Sequence, residues 1–156
     1  YLWNLLKQIF FTLKKKMKVL KYLCLLIIPL YLFPYTGYIS NYGFNSLDII
    51  DTASNLLKSR YQLPISGAGP SGFTFSKDLS LIFVANTAIP GSVYVLEAKT
   101  GKLLNTISTG KKPYDVILSK NQRLFVSNSA EKSISVFNAN DPSYPLIATI
   151  NVGNDP

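Results

Sequence analysis

The feature that most constrains this chain is an internal repeat with a period of 43 residues. A Gly-x-x-Pro motif begins at residues 67, 110 and 153, so its copies are separated by equal intervals. The motifs that return in the same order between these copies are Phe-Val-Ala-Asn at 83–86 and Phe-Val-Ser-Asn at 125–128, then Ser-Val-Tyr-Val at 92–95 and Ser-Ile-Ser-Val at 133–136. A fixed period of this length indicates one small structural unit that is built more than once and stacks on its neighbours.

An earlier copy of the repeat is partial. Residues 38–51 begin with Tyr-Ile-Ser-Asn and align without a gap with residues 125–138, but they lack the opening Gly-x-x-Pro segment. The repeat therefore divides the chain into units whose bounds are 37–66 for the partial unit, 67–109 and 110–152 for the complete units, and 153–156 for the start of a next unit.

Each complete unit is predicted to form four short strands. Those of the last complete unit are 114–118, 123–127, 133–137 and 146–150, where β-branched and aromatic residues dominate. Residues 119–122 and 98–101 suit hairpin loops, and Gly101 is expected to adopt a positive φ. We expect the Asn that ends each second strand to bond backbone groups of the following turn. No segment after residue 35 has a helical period.

Four antiparallel strands in a unit of about 40–50 residues form the blade of a β-propeller. A parallel β-helix uses shorter coils, and a β-sandwich does not repeat its sequence at a fixed interval. The predicted fold is therefore all-β, a propeller fragment of four-stranded antiparallel blades. Closure of such a ring takes roughly 4–8 blades, so we expect further blades to complete it, with a C-terminal strand closing the first blade. The chain by itself is expected to be poorly soluble or to assemble through its open edges.

These motifs resemble the YVTN-type β-propeller repeat. The resemblance rests on the tetrapeptides at 38–41, 83–86 and 125–128 and on Thr-Ile-x-x-Gly beginning at 106 and 149, and it covers residues 38–156. The third tetrapeptide residue is Ala or Ser where the family name has Thr. Family members are typically exported bacterial or archaeal proteins, and related propellers include sugar-lactone hydrolases and the haem-bearing propeller of a nitrite reductase. The resemblance therefore implies the fold specifically and the function only loosely.

The N-terminal part of the chain predicts export. Six of the eight surplus positive charges precede Tyr22, and an uncharged apolar run of 12 residues follows at 22–33. This run is shorter than the roughly 20 residues of a spanning helix and fits the 7–15 residues of a signal-peptide core. Read from Met17, residues 17–36 are a hydrophobic leader helix, either a cleaved signal peptide or an uncleaved anchor. Residues 1–16 are interpreted as upstream translation or a leader extension.

The rest of the composition excludes several classes of function. Residues 22–156 hold ten basic and eight acidic groups, which leaves no strongly basic face for nucleic acid. The sequence has no His and one Cys, Cys24 in the apolar run. A His-based triad, a His-ligated metal or haem, and an internal disulfide are therefore excluded within this chain. We assign no cofactor, no metal and no catalytic residue from the sequence.

Two motifs have simpler explanations than ligand binding. Residues 67–72 match G-x-G-x-x-G, but a dinucleotide site needs a helix to follow, and a strand is predicted at 73–75 instead. The repeat already accounts for Gly67 and Pro70. The lysines at 14–16 belong to the leader region, and those at 111–112 are interpreted as a solvated pair.

Asp115 is the acidic residue best placed to line the central funnel, since it follows a Gly-x-x-Pro motif on a predicted inner strand. A propeller lactonase binds a divalent metal there with carboxylate and Asn ligands from several blades. The equivalent residue of the preceding blade is Gly72, so no ring of carboxylates is visible, and Asp115 is interpreted as a polar channel or turn residue. Tyrosines and phenylalanines are assigned to blade packing. The acidic residues are Asp48, Asp51, Asp78, Glu97, Asp115, Glu131, Asp141 and Asp155.

The expected function is a non-catalytic binding or interaction scaffold outside the cytoplasm, in the periplasm, at the cell surface or secreted. Its expected partner is a protein or carbohydrate at the propeller face, and membrane contact is expected only through an uncleaved leader. Two alternatives stay open. One is a lactonase-like or other metal-dependent hydrolase whose active-site residues lie mostly in other blades. The other is a redox-associated accessory propeller.

Overall fold

The structure is a computed structural model that describes residues 35–64, 69–153 and 156. The predicted leader helix, its start at Met17, the residues before it and Cys24 lie outside the described residues. So do residues 65–68, which include Gly67, and residues 154–155.

Within the described residues, eleven strands form three antiparallel sheets, each with strands paired in chain order. Blade one contains β1 (Thr36–Asn41), β2 (Ser46–Asp51) and β3 (Leu56–Gln62). Blade two contains β4 (Pro70–Phe75), β5 (Leu81–Asn86), β6 (Ser92–Glu97) and β7 (Leu103–Ser108). Blade three contains β8 (Pro113–Leu118), β9 (Arg123–Asn128), β10 (Ser133–Asn138) and β11 (Leu146–Asn151).

The all-β class with four-stranded antiparallel blades is confirmed. Each strand of blade three is one residue longer than predicted. Short 3₁₀ turns occupy Tyr42–Phe44 and Ser129–Glu131. In the part of the chain that the structure describes, no helix has the length and apolar character needed to cross a membrane. The β6–β7 hairpin turns at Gly101, whose φ of +72° agrees with the prediction.

Successive residues of a strand point to opposite faces of its sheet. Both faces of blade two carry apolar residues, so the apolar core lies between neighbouring blades. We call the face of a blade that lies toward the preceding blade its leading face, and the opposite one its trailing face. The leading face of blade two contributes Ile82, Val84, Tyr94 and Leu96 to a buried cluster with Leu47 and Leu63 of blade one. Its trailing face contributes Phe83, Ala85, Val93, Val95 and Ile107 to a second cluster with Val116, Leu124, Val126 and Phe137 of blade three. Full burial of one such side chain stabilises the fold by roughly 1.5–3 kcal/mol.

We call the Asn residues that end the second strands of blades two and three, Asn86 and Asn128, the signature asparagines. Their side chains bond across the sheet and not to the turn that follows them. The Asn86 amide donates to the hydroxyl oxygens of Ser92 and Tyr94, at 3.3 and 3.2 Å. Asn128 makes the equivalent bonds to two serine hydroxyls of β10, at 3.2 and 2.9 Å, and no side-chain bond to its 3₁₀ turn. The expectation of turn capping was wrong here. In the observed register Asn86 lies opposite Ser92, so the hydroxyl is within reach of the amide.

Candidate functional site

A cleft of about 440 Å³ lies where the inner strands β4 and β8 begin. We call it the inner-strand cleft. All three described blades contribute to it, since its lining comes from the end of β1, the starts of β4 and β8, and the residue after β5. The lining residues are Ser40, Tyr42, Pro70, Ser71, Gly72, Thr87, Tyr114 and Asp115.

Both inner strands carry a β-bulge at the same place. The pairing register of β4 shifts between Pro70 and Phe73, and that of β8 shifts between Pro113 and Val116. A bulge leaves an extra residue unpaired and changes the direction of the side chains around it. The residues within the two shifts all line the cleft, and they are Ser71, Gly72, Tyr114 and Asp115.

The two bulges are in direct contact. The Ser71 hydroxyl donates to the carbonyl oxygen of Tyr114, which joins β4 to β8. A Cβ atom on Gly72 would lie 2.8 Å from Asp115 Cα, closer than real Cβ contacts come. The strands can approach this closely only because one of the two equivalent positions has no side chain. This spacing leaves room for the side chain of Asp115 and for no side chain at residue 72.

Asp115 itself is exposed to solvent and anchored through its backbone. Its amide N–H donates to the Ser127 hydroxyl at 3.1 Å, and its Oδ1 accepts from the Val116 amide at 2.8 Å. Asp115, the acidic residue that the sequence favoured for the central funnel, lines the inner-strand cleft.

Hydroxyl groups that the sequence reasoning missed hold the inner strands against their neighbours. Thr87 Oγ1 donates to the carbonyl oxygen of Gly69 at 2.9 Å, and Ser129 Oγ donates to that of Lys112 at 3.0 Å. Both hydroxyl residues directly follow a signature Asn, a signal visible in the sequence. They fix the residue that precedes each strand-opening proline, and thereby the start of each inner strand.

Two tyrosines of the cleft contradict the assignment of aromatic residues to blade packing. Tyr42 and Tyr114 are each 63% exposed. Tyr114 lies in the β8 bulge, and Tyr42 lies in the 3₁₀ turn after β1, so neither occupies a regular strand position that points into a blade interface. Together with Asp115 they offer aromatic faces beside one negative charge.

The chemistry of this cleft suits recognition. Hydroxyls can form hydrogen bonds, the tyrosine rings can stack or attract a cation, and the carboxylate can pair with a positive group. In the described residues, no group of three or more His, Cys, Asp or Glu side chains gathers in a way that could hold a metal ion.

The glycine-rich segment and the lysine pair at 111–112 are parts of the fold. Pro70 begins β4, so a strand and not a helix follows the glycine-rich segment. Lys111 Nζ lies 3.9 Å from Glu131 Oε1 at the surface, and Lys112 has a positive φ.

A second cleft, of about 450 Å³, lies at the opposite ends of the inner strands, and we call it the hairpin-end cleft. It is lined by Phe75, Lys77, Leu118, Ser119, Lys120 and Gln122.

No protein-family model matches the sequence, and no curated protein does either. Similar solved structures include the hydrazine synthase of Kuenenia stuttgartiensis, with a TM-score of 0.66 and 18% identity over 78% of this chain and 34% of that chain. A mitotic checkpoint complex gives a TM-score of 0.62 and 12% identity over 77% and 35%. Sqt1 of Saccharomyces cerevisiae gives 0.60 and 12% identity over 76% and 32%.

The chain thus spans about a third of the length of each of these solved chains. At such low identity the likeness concerns the fold alone. It agrees with the three stacked sheets described above, and the β-propeller architecture is confirmed.

Proposed function

We propose that this chain belongs to an exported propeller of the YVTN type and acts as a non-catalytic binding scaffold, with the inner-strand cleft as its ligand site. The observation that carries the proposal is the pair of aligned β-bulges, which brings residues of both complete blades into one cleft. Bulges commonly reorient side chains at functional sites. The ligand is a protein segment or a carbohydrate, since exposed tyrosine rings and hydroxyls serve both.

The hydrolase alternative needs several metal ligands at the funnel. Of the described residues that line the cleft, Asp115 alone carries a carboxylate. No specific observation therefore favours that alternative.

The binding site is tested on glycan and peptide arrays probed with the full chain, followed by titration of the strongest hit. Tyr114→Ala and Asp115→Asn are each expected to weaken binding at least about tenfold, which corresponds to ~1.4 kcal/mol. Lys77→Ala, in the hairpin-end cleft, is the matched control and leaves affinity unchanged. Equal affinities of the three variants would place the ligand elsewhere on the protein.

Export is tested separately by fractionation and N-terminal sequencing of the exported chain. The proposal expects a mature N-terminus near residue 36 if the leader is cleaved, or a start at Met17 if it is retained. Recovery of the chain in the cytoplasm alone contradicts it.

A further inference from the structure

The hairpin-end cleft lies between the two complete blades and combines apolar walls with positive charge. All of its lining residues belong to blade two or blade three. Phe75 and Leu118, the last residues of β4 and β8, are half-buried and supply the apolar surface. Lys77 and Lys120 follow them by two residues each and are exposed. The volume of about 450 Å³ is within the range of sites for small molecules.

The two lysines hold equivalent places in the repeat and have no counter-charge in the cleft. None of the six lining residues is acidic. Among the described residues, neither Lys77 nor Lys120 forms an ion pair. The carboxylate that follows Lys77 in sequence, that of Asp78, accepts instead from the hydroxyls of Ser76 and Ser80 within its own hairpin. A cleft lined by charges of one sign attracts counter-ions, so this cleft favours an anion.

Blade three adds a hydrogen-bond donor that the equivalent hairpin of blade two does not offer. In blade two the Ser76 hydroxyl donates to Asp78 Oδ1 at 2.6 Å. Its equivalent in blade three, Ser119, lines the cleft, and its hydroxyl oxygen accepts from the Arg123 amide at 3.0 Å. Asn121 stands there in the place of Asp78, and in the part of the chain that the structure describes the Ser119 hydroxyl donates to no acceptor. Its hydrogen is therefore available to an anionic ligand.

We propose that the hairpin-end cleft binds a small organic anion that has an apolar body and a carboxylate or phosphate group. The apolar body packs against Phe75 and Leu118, while the anionic group pairs with Lys77 and Lys120 and accepts from the Ser119 hydroxyl. Because burial of the apolar body adds to the attraction between charges, such a ligand binds more tightly than inorganic phosphate. The inner-strand cleft lies at the other ends of the inner strands, so the two sites are tested separately.

The test is a calorimetric titration of the full chain with hexanoate, hexyl phosphate, inorganic phosphate and hexan-1-ol. Hexanoate or hexyl phosphate is expected to bind with a Kd below about 1 mM, and the tighter of the two identifies the anionic group. Inorganic phosphate lacks the apolar body and hexan-1-ol lacks the charge, so each is expected to bind at least about tenfold more weakly. The proposal is overturned if neither hexanoate nor hexyl phosphate binds, or if inorganic phosphate or hexan-1-ol binds as tightly as they do.

Two variants place the ligand in this cleft. Lys120→Met removes a charge, keeps an unbranched side chain and is expected to weaken binding of the tighter probe at least about threefold. Its control is Lys99→Met, at an exposed lysine of the β6–β7 hairpin that does not line the cleft. Ser119→Ala is expected to weaken binding by a similar factor. Its control, Ser76→Ala, loses the equivalent hydrogen bond from a hairpin amide and keeps the affinity of the wild type. Unchanged affinity in Lys120→Met, or equal affinities of the two serine variants, overturns the assignment.

Discussion

Gly72 and Asp115 face each other across neighbouring inner strands with space for one side chain between them. A Cβ atom added to Gly72 would lie 2.8 Å from both the Cα and the Cγ of Asp115. The two residues hold equivalent places in successive blades, and each lies in a β-bulge. Their contact sets the distance between β4 and β8 at the cleft.

We therefore predict that Gly72→Ala destabilises the protein by about 1–3 kcal/mol, the usual cost of overpacking. The melting temperature followed by circular dichroism measures it. Asp115→Ala in the same chain is expected to recover part of the loss, because two of the three nearest atoms belong to the Asp115 side chain. Gly43→Ala is the control, since a Cβ there meets nothing within 4 Å. Equal melting temperatures for Gly72→Ala and Gly43→Ala would refute the close approach.

Leu79 has a φ of +59°, in the left-handed region that favours glycine. It is 67% exposed, so replacing it removes little buried surface. We expect Leu79→Gly to stabilise the fold by about 0.5–1 kcal/mol, because a strained backbone position costs roughly 1–2 kcal/mol for a residue with a Cβ. Leu104→Gly, at an exposed strand residue of ordinary φ, is expected to destabilise it instead. A lower melting temperature for Leu79→Gly than for the wild type contradicts the prediction.

The ion pair of blade one predicts a dependence of stability on pH. Hydrogen bonds from Arg60 first, and then from Ser46 and Asn41, lower the pKa of Asp48 from 3.8 to about 2. Because folding lowers this pKa, the ionised carboxylate stabilises the native state fully above about pH 4, and that contribution disappears as the pH falls toward 2. Arg60→Gln is expected to lower stability at neutral pH, because Asp48 loses two hydrogen bonds from the guanidinium group.

The check compares thermal melts of wild type and Arg60→Gln from pH 7 to pH 2. The difference between their melting temperatures should shrink between pH 4 and pH 2. Arg123→Gln, which changes an exposed arginine of β9, should run parallel to the wild type. If the Arg60→Gln and wild-type curves stay parallel through this window, the ion pair does not control the pKa of Asp48.

Asn128 is fully buried and bonds two serine hydroxyls of β10. We predict that Asn128→Ala costs about 1–3 kcal/mol, because two buried hydroxyls lose their partner. Asn121→Ala, in the exposed β8–β9 turn, is expected to change stability by less than about 0.5 kcal/mol. Chemical denaturation of both variants measures the difference, and equal midpoints would show that the signature Asn has no such role.

The local sequence pattern was sufficient to predict the strands and their turns. The bounds of the four strands in blade three differ from the predicted ones by a single residue each, and Gly101 has the positive φ that its hairpin needs. Strand formation and tight turns depend on residues close in sequence, so a repeat read along the chain contains this information. The place of Asp115 on an inner strand could be predicted for the same reason, from its position after the motif that opens that strand.

The sequence by itself thus determined the blades, their order and the place of Asp115 on an inner strand. Only the tertiary structure decided the bulges, the exposed Tyr42 and Tyr114, and the hydroxyl partners of Asn86. The physical reason is distance along the chain, because the contact that shapes the cleft joins Ser71 to Tyr114, 43 residues apart. Whether two strands that far apart approach closely depends on side-chain volume and register at both positions at once, which no local pattern contains.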